Sequence, residues 1–255
     1  MNIYYNIKYQ INLAAVTLMI FTRIPLPASR VKFEPDLLAK IHHFIPLAGL
    51  LAAAAQALVY LLVHLFYSHT VAVLVSVVFG LLVTGAFHED GFADVCDSLG
   101  GNTISDKLAI MKDSRLGTYG AAGLFMVLAA RIIFLNEISE NDILPVLAAA
   151  GLLSRWSVLL LLYLLPYIGT TETFRPLYEG LSGFKLVIVT VFAAALSWFF
   201  LDGISFIWPV YTIAAVTGGY YFFKKNLGGV TGDAMGAMVV SAELAVFLSV
   251  LAGAN

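Results

Sequence analysis

Apolar residues run along this chain in long unbroken stretches, not in the alternation of a strand or the one-sided stripe of a surface helix. Such stretches cover 44–66, 70–87, 118–135, 143–168, 185–201, 207–223 and 231–252, with a shorter one at 9–22. A hydrocarbon core about 30 Å thick needs about twenty apolar residues wound as a helix to cross it. The pattern therefore predicts an all-α, polytopic integral membrane helix bundle of seven to eight transmembrane helices. It reads as a single membrane domain over residues 1–255, with short helices outside the spans carrying the site. The count turns on 9–22, which lies between Lys8 and Arg23 and spans only if both side chains snorkel toward the headgroups.

Composition agrees: 60% of the 255 residues are hydrophobic and 12% are charged, about half the charged share of a soluble domain. Mean hydropathy is +0.90. A cleaved signal peptide is not expected, because the basic start is thin and Pro25 and Pro27, not a small-residue cleavage site, follow the first stretch. The single Cys96 excludes an internal disulfide, as suits the reducing side of a membrane. A formal charge of −2 says little about partners; small molecules and the bilayer are expected, a nucleic acid is not.

Where the charges sit says more. Eleven of the fourteen Lys and Arg residues fall in four alternate loops: Arg23, Arg30, Lys32 and Lys40; Lys107, Lys112 and Arg115; Arg175 and Lys185; Lys224 and Lys225. The intervening loops at 67–69, 136–142 and 202–206 hold none. By the positive-inside rule the basic loops face the cytoplasm of a cell inner membrane. Arg131 is close enough to a span end to snorkel; Arg155 is not.

Against this background GAFHEDGFADVCDSLGG at 85–101 stands out, because it gathers Glu89, Asp90, Asp94 and Asp97 at the cytoplasmic end of a span. At about 100° per residue, Asp90, Asp94 and Asp97 share an arc of roughly 60°, opposite Phe92, Val95, Cys96 and Leu99. Carboxylates on one stripe repel one another unless a cation sits among them, and a hard divalent ion, Mg²⁺ or Mn²⁺, suits such ligands. The plainer alternative, an amphipathic helix with a solvated acidic face, is disfavoured because surface helices at an anionic leaflet carry bases there. Cargo ions generally bind near the midplane, so an interfacial cluster suits an enzyme better than a transporter.

Two further stretches lie on the same side. IMKDSRLGTYG at 110–120 sets Lys112 and Arg115 three apart, facing the same way if helical, either as membrane anchors or as cations for a diphosphate. Asp113 between them reads as a further ligand, a salt-bridge partner or a catalytic base. KKNLGGVTGDAMGAM at 224–238 opens the last span with Gly228, Gly229, Thr231 and Gly232, an anion-favouring helix start or simply a glycine turn. Asp233 there either completes the metal shell or favours the helix dipole.

Arg155 needs a partner within its span; an ion pair with Glu243 is preferred over contact with substrate phosphate. His42, His43, His64 and His69 read as interfacial or packing residues, and His88 lies off the acidic stripe. Small residues at 52–55, 148–151 and 218–219 permit close helix contacts, within one chain or in a homo-oligomer.

A carboxylate-held metal, basic side chains and a glycine-rich helix start at one leaflet surface suit phosphoryl or phosphoalcohol transfer. The acidic stretch resembles the CDP-alcohol phosphotransferase signature, but with one residue fewer between Gly91 and Ala93 and with Asp94 where that family has Arg. HEDGFADVCD at 88–97, MKDSRLGTYG at 111–120 and GGVTGDAMGA at 228–237 instead resemble, in order and spacing, the three signature blocks of the cobalamin synthases, the adenosylcobinamide-GDP ribazoletransferases. TRIP at 22–25 and FIPLAG at 44–49 are similar to that family's N-terminal region.

The resemblance implies a Mg²⁺-dependent bacterial or archaeal inner-membrane enzyme joining adenosylcobinamide-GDP to α-ribazole or its 5′-phosphate, with release of GMP. It implies a metal held by Asp90, Asp94 and Asp97, and Asp233 is by its position the candidate to complete the shell. Asp113 is the candidate catalytic residue, and Lys112, Arg115, Gly229, Thr231, Gly232 and Arg155 are candidates for the phosphates. Glu89 is not carried over, because the helical stripe excludes it. The rival readings are a phospholipid-type CDP-alcohol phosphotransferase and a divalent-cation transporter.

Overall fold

Each of the eight apolar stretches folds as a helix. The computed structural model describes residues 3–27, 31–169 and 174–253; Arg30, counted above among the loop bases, lies outside them. The helices are α1 (Ile3–Phe21), α2 (Ile45–His64), α3 (His69–Thr84), α4 (Phe87–Asp97), α5 (Ile104–Ile110), α6 (Thr118–Glu137), α7 (Ile143–Leu164), α8 (Arg175–Glu179), α9 (Gly183–Leu201), α10 (Trp208–Asn226) and α11 (Gly232–Gly253). Among the described residues extended pairing is confined to one isolated bridge, Tyr167 with Val230.

Five helical stretches, His42–His64, Thr118–Glu137, Ile143–Leu164, Gly183–Leu201 and Gly232–Gly253, are long and apolar enough to cross a membrane, and α3 with α4 adds a sixth only if that bent pair is one broken span. The chain is thus a polytopic membrane protein, with fewer fully qualified crossings than the seven to eight expected. The difference has local causes. The first half of α1 carries Lys8, Gln10 and Asn12; α3 has 16 residues; and α10 is diluted by Thr217, Gly218, Gly219, Tyr220 and Tyr221 before it ends in Lys224 and Lys225.

The bundle is organised around α7, 78% of whose apolar window is buried against 22% for α6 and 28% for α9. It packs on α2, α9, α10 and α11. Its approach to α2 is by backbone: a Cβ added at Gly151 would sit 2.5 Å from the Gly49 carbonyl oxygen and 2.8 Å from the Ala53 Cβ. Without a hydrophobic drive between helices in lipid, such small-residue contact is what holds spans together. Gly151→Val should therefore force α2 from α7 and cost about 1–3 kcal/mol. Earlier thermal unfolding in detergent would register it, with Leu62→Ala on the lipid face unchanged as control.

The basic loops meet at one end. Lys107 Nζ donates to Asn226 Oδ1 at 2.6 Å, and Lys185 Nζ donates to the carbonyls of Ala39 and Gly180 at 3.1 and 2.7 Å. At the other end Thr70 donates to Asn136 at 2.7 Å, and His64 stands 3.3 Å from Glu140. At the basic end α3 stops in two consecutive left-handed residues, Gly85 at φ 68° and Ala86 at φ 54°. They turn the chain by 88° into α4, which runs across the starts of α6 and α11 and does not continue the crossing of α3.

Candidate active site at the start of α6 and α11

The three sequence blocks converge on α4. At its C-terminal end Asp97 accepts the backbone N–H of Gly117 at Oδ2 and of Gly120 at Oδ1, both at 2.7 Å. It thereby satisfies two of the unpaired donors at the start of α6. A Cβ on either glycine would collide with that carboxylate, which explains the G-x-x-G of the second block. In its middle α4 touches the third block: a Cβ on Gly91 would lie 2.8 Å from both the Cα and the carbonyl oxygen of Asp233. One turn further along α11, Gly236 faces the backbone of His88 and Gly91.

This packing sets Asp90, Asp94 and Asp97 against Asp233. Asp90 is exposed and the other three are half-buried. Burial, followed by the charges of Asp233, Asp90 and Asp97, pushes the Asp94 carboxyl up to about 7. Hard carboxylate oxygens on two facing helices fit a divalent cation by donor chemistry. They are not drawn in around one: among the described residues no three His, Cys, Asp or Glu side chains are grouped closely enough to hold a metal ion. Asp97 keeps ligating capacity despite its two bonds, because each carboxylate oxygen has a second lone pair.

The basic block differs from its expected form. Residues 111–117 are turn and loop, so Lys112 and Arg115, both exposed, do not share a helical face. Asp113 is held by Arg115, whose Nε lies 3.0 Å from each carboxylate oxygen and whose backbone N–H donates to Oδ1 at 3.1 Å. These bonds bring the Asp113 carboxyl down to about 2, so while paired it is a weak proton acceptor.

The glycine-rich block is mostly engaged in structure. Gly228 has φ 83°, a conformation that favours glycine. Val230 pairs with the loop after α7, its N–H donating to Pro166 O and its carbonyl accepting the Ile168 N–H, both at 2.9 Å. Gly229 is buried against Pro166 and Ile168. Thr231, 8% exposed, accepts the Ala234 N–H at 3.1 Å and caps α11. Gly232 is half-buried beside Phe174.

Two expectations about buried charge are corrected. Glu243 does not pair with Arg155; its partner is Arg131, whose Nη2 donates to Glu243 Oε2 at 2.6 Å while Nη1 donates to Glu89 Oε1 at 2.8 Å. Arg131 is 6% exposed, so it does not snorkel. A guanidinium on α6 reaches two acids on two other helices, whereas Arg155 donates to the Ser154 hydroxyl at 3.0 Å. Arg155 shares a small cavity of about 30 Å³ with Gln56, His88, Glu89, Arg131 and Glu243. Sequence reading missed the Glu89–Arg131 pair; the signal was charge parity, since Arg131, Arg155 and Glu243 lie inside apolar stretches and Glu89 is the acid that helical phase leaves off the stripe.

The Cobalamin-5-phosphate synthase family model matches residues 13–252. Relatives named adenosylcobinamide-GDP ribazoletransferase are similar over nearly their whole length. The one from Shewanella frigidimarina is 38% identical over 95% of this chain and 95% of its own. That from Vibrio cholerae serotype O1 is 35% identical over 96% and 95%, and that from Vibrio parahaemolyticus 34% over 96% and 94%. No solved structure matches the chain. With three blocks of sequence brought to one end of the bundle and the match running almost end to end, the chain belongs to the Cobalamin-5-phosphate synthase family.

Proposed function

We propose that the protein is an adenosylcobinamide-GDP ribazoletransferase of a cell inner membrane, with its site facing the cytoplasm and Mg²⁺ as cofactor. The observation that carries this reading is the meeting of Asp97 with Gly117 and Gly120, and of Gly91 with Asp233, which unites residues of all three blocks. The basic loops gathered at that same end support the orientation.

In this reading Asp90, Asp94, Asp97 and Asp233 would hold Mg²⁺, which supplies charge neutralisation for the diphosphate. Lys112 and Arg115, on the loop between α5 and α6, take the remaining phosphate oxygens. The hydroxyl oxygen of α-ribazole or its 5′-phosphate attacks the phosphorus joined to the cobinamide arm. The bond from that phosphorus to the bridging oxygen breaks, and GMP leaves with that oxygen. The hydroxyl proton passes to an aspartate of the site; Asp113 accepts it only when released from Arg115. Arg155 is buried and donates to Ser154, so this reading gives the phosphates to Lys112 and Arg115 and not to Arg155.

Membranes carrying the protein, supplied with adenosylcobinamide-GDP, α-ribazole and Mg²⁺, should release GMP together with a new corrinoid, and chelation by EDTA should stop both. Release of CMP from a CDP-alcohol, or Mg²⁺ uptake into vesicles without nucleotide release, would replace this reading with a phospholipid-type phosphotransferase or a cation transporter.

A further inference from the structure

The acidic helix is fastened at both ends to the same neighbour. At one end Asp97 accepts two backbone N–H groups from the start of α6. At the other, Glu89 receives Arg131 from deep within α6, and the same guanidinium holds Glu243 of α11 with a different nitrogen. The Glu89, Arg131 and Glu243 side chains are 7%, 7% and 12% exposed. Glu89 and Asp97 are eight residues apart in the chain, about 12 Å along a helix, and Asp90 and Asp94 lie between them. The α3–α4 junction cannot supply this alignment, because its two left-handed residues break the continuity of the helix.

We infer that Glu89, Arg131 and Glu243 form a buried charge bridge that sets the register of α4 against α6 and α11, and so places Asp90 and Asp94 opposite Asp233. On this view Glu89 is a positioning residue and not a metal ligand, although it adjoins Asp90. An apolar contact would hold the helices together equally well but would tolerate sliding and rotation. A forked guanidinium gripping one carboxylate on each of two helices tolerates neither. The inference rests on the reading of the acidic face as the catalytic cation site.

The test separates the two. Removing a single member leaves buried charge uncompensated, whereas replacing an oppositely charged pair with neutral residues is often tolerated by the fold. The double variant Glu89→Gln/Arg131→Met, which removes one charge of each sign and leaves Glu243 with Arg155 in the same cavity, should insert and elute as the unmodified protein does. Its kcat should fall about 10–100-fold, the range for groups that orient ligands, with KM for adenosylcobinamide-GDP little changed. Mn²⁺ binding followed by electron paramagnetic resonance, with no substrate present, should weaken by a similar factor. Arg131→Lys, which keeps the charge balance, is read in the same way should the double variant not fold, and a smaller loss in the same direction is expected. A folded variant with unaltered kcat and Mn²⁺ affinity overturns the inference. So does loss of Mn²⁺ binding in Glu89→Gln but not in Arg131→Gln, since that would make Glu89 a ligand. An active Asp94→Asn protein instead removes the underlying reading of the site.

Discussion

Asp94→Asn is expected to lower turnover about 10²–10³-fold, the loss that follows removal of one preorganised electrostatic partner at a reacting centre. The amide has the volume and shape of the carboxylate, so packing beneath α4 is unchanged and the difference is one negative charge. Asp94 is also the carboxylate most burdened by its neighbours, half-buried and facing Asp233, Asp90 and Asp97. Its neutralisation relieves repulsion in the metal-free protein, whose thermal unfolding should stay level or move upward. Mg²⁺ should separate the two proteins. A ligand that binds only the folded state stabilises it by about 2.7 kcal/mol at a hundred times its dissociation constant, so added Mg²⁺ should raise the unfolding temperature of the unmodified protein and leave that of Asp94→Asn in place. Wild-type GMP release by the variant would take the acidic stripe out of the catalytic account.

How much of this was legible in the chain follows from the range of the interactions involved. Apolar run length is local, so every predicted stretch became a helix; the run that forms α7 is the longest in the sequence, and it is the most buried of the candidate spans. The stripe of Asp90, Asp94 and Asp97 was also local, a matter of helical phase within one short element. What escaped was the assignment of buried partners. Arg131 pairs with residues 42 and 112 positions away, and which of two arginines turns toward Glu243 depends on the rotation of three separate helices. Helical phase placed Glu89 off the acidic stripe, but only the packing of α4 on α6 gave it a partner. Lys112 and Arg115 looked like helical neighbours because Met111 to Arg115 contains no breaker of its own. The helix instead begins at Thr118, where Asp97 supplies the missing acceptors from another element.

Gly91→Val should remove both the site and part of the fold. A Cβ at that position meets the Asp233 backbone at 2.8 Å from both Cα and carbonyl oxygen and at 3.2 Å from the carbonyl carbon. Backbone cannot swing away as the end of a flexible side chain can, so relief requires α4 to lift from α11 as a body. That movement opposes three attachments at once: the Asp97 cap on α6, the Glu89–Arg131 bridge and the close approach of Gly236 to His88. Overpacking of this kind costs about 1–3 kcal/mol, and a shift of about 1 Å in a reacting group is enough to cost about a hundredfold in rate. Gly91→Ala should show the same two effects in smaller measure, because one methyl group already falls inside the contact distance. Parallel measurement of thermal unfolding and GMP release in both variants distinguishes this from a simple loss of helix propensity. Alanine and valine are both better helix formers than glycine, so a propensity effect alone would leave α4 firmer and the enzyme at least as active.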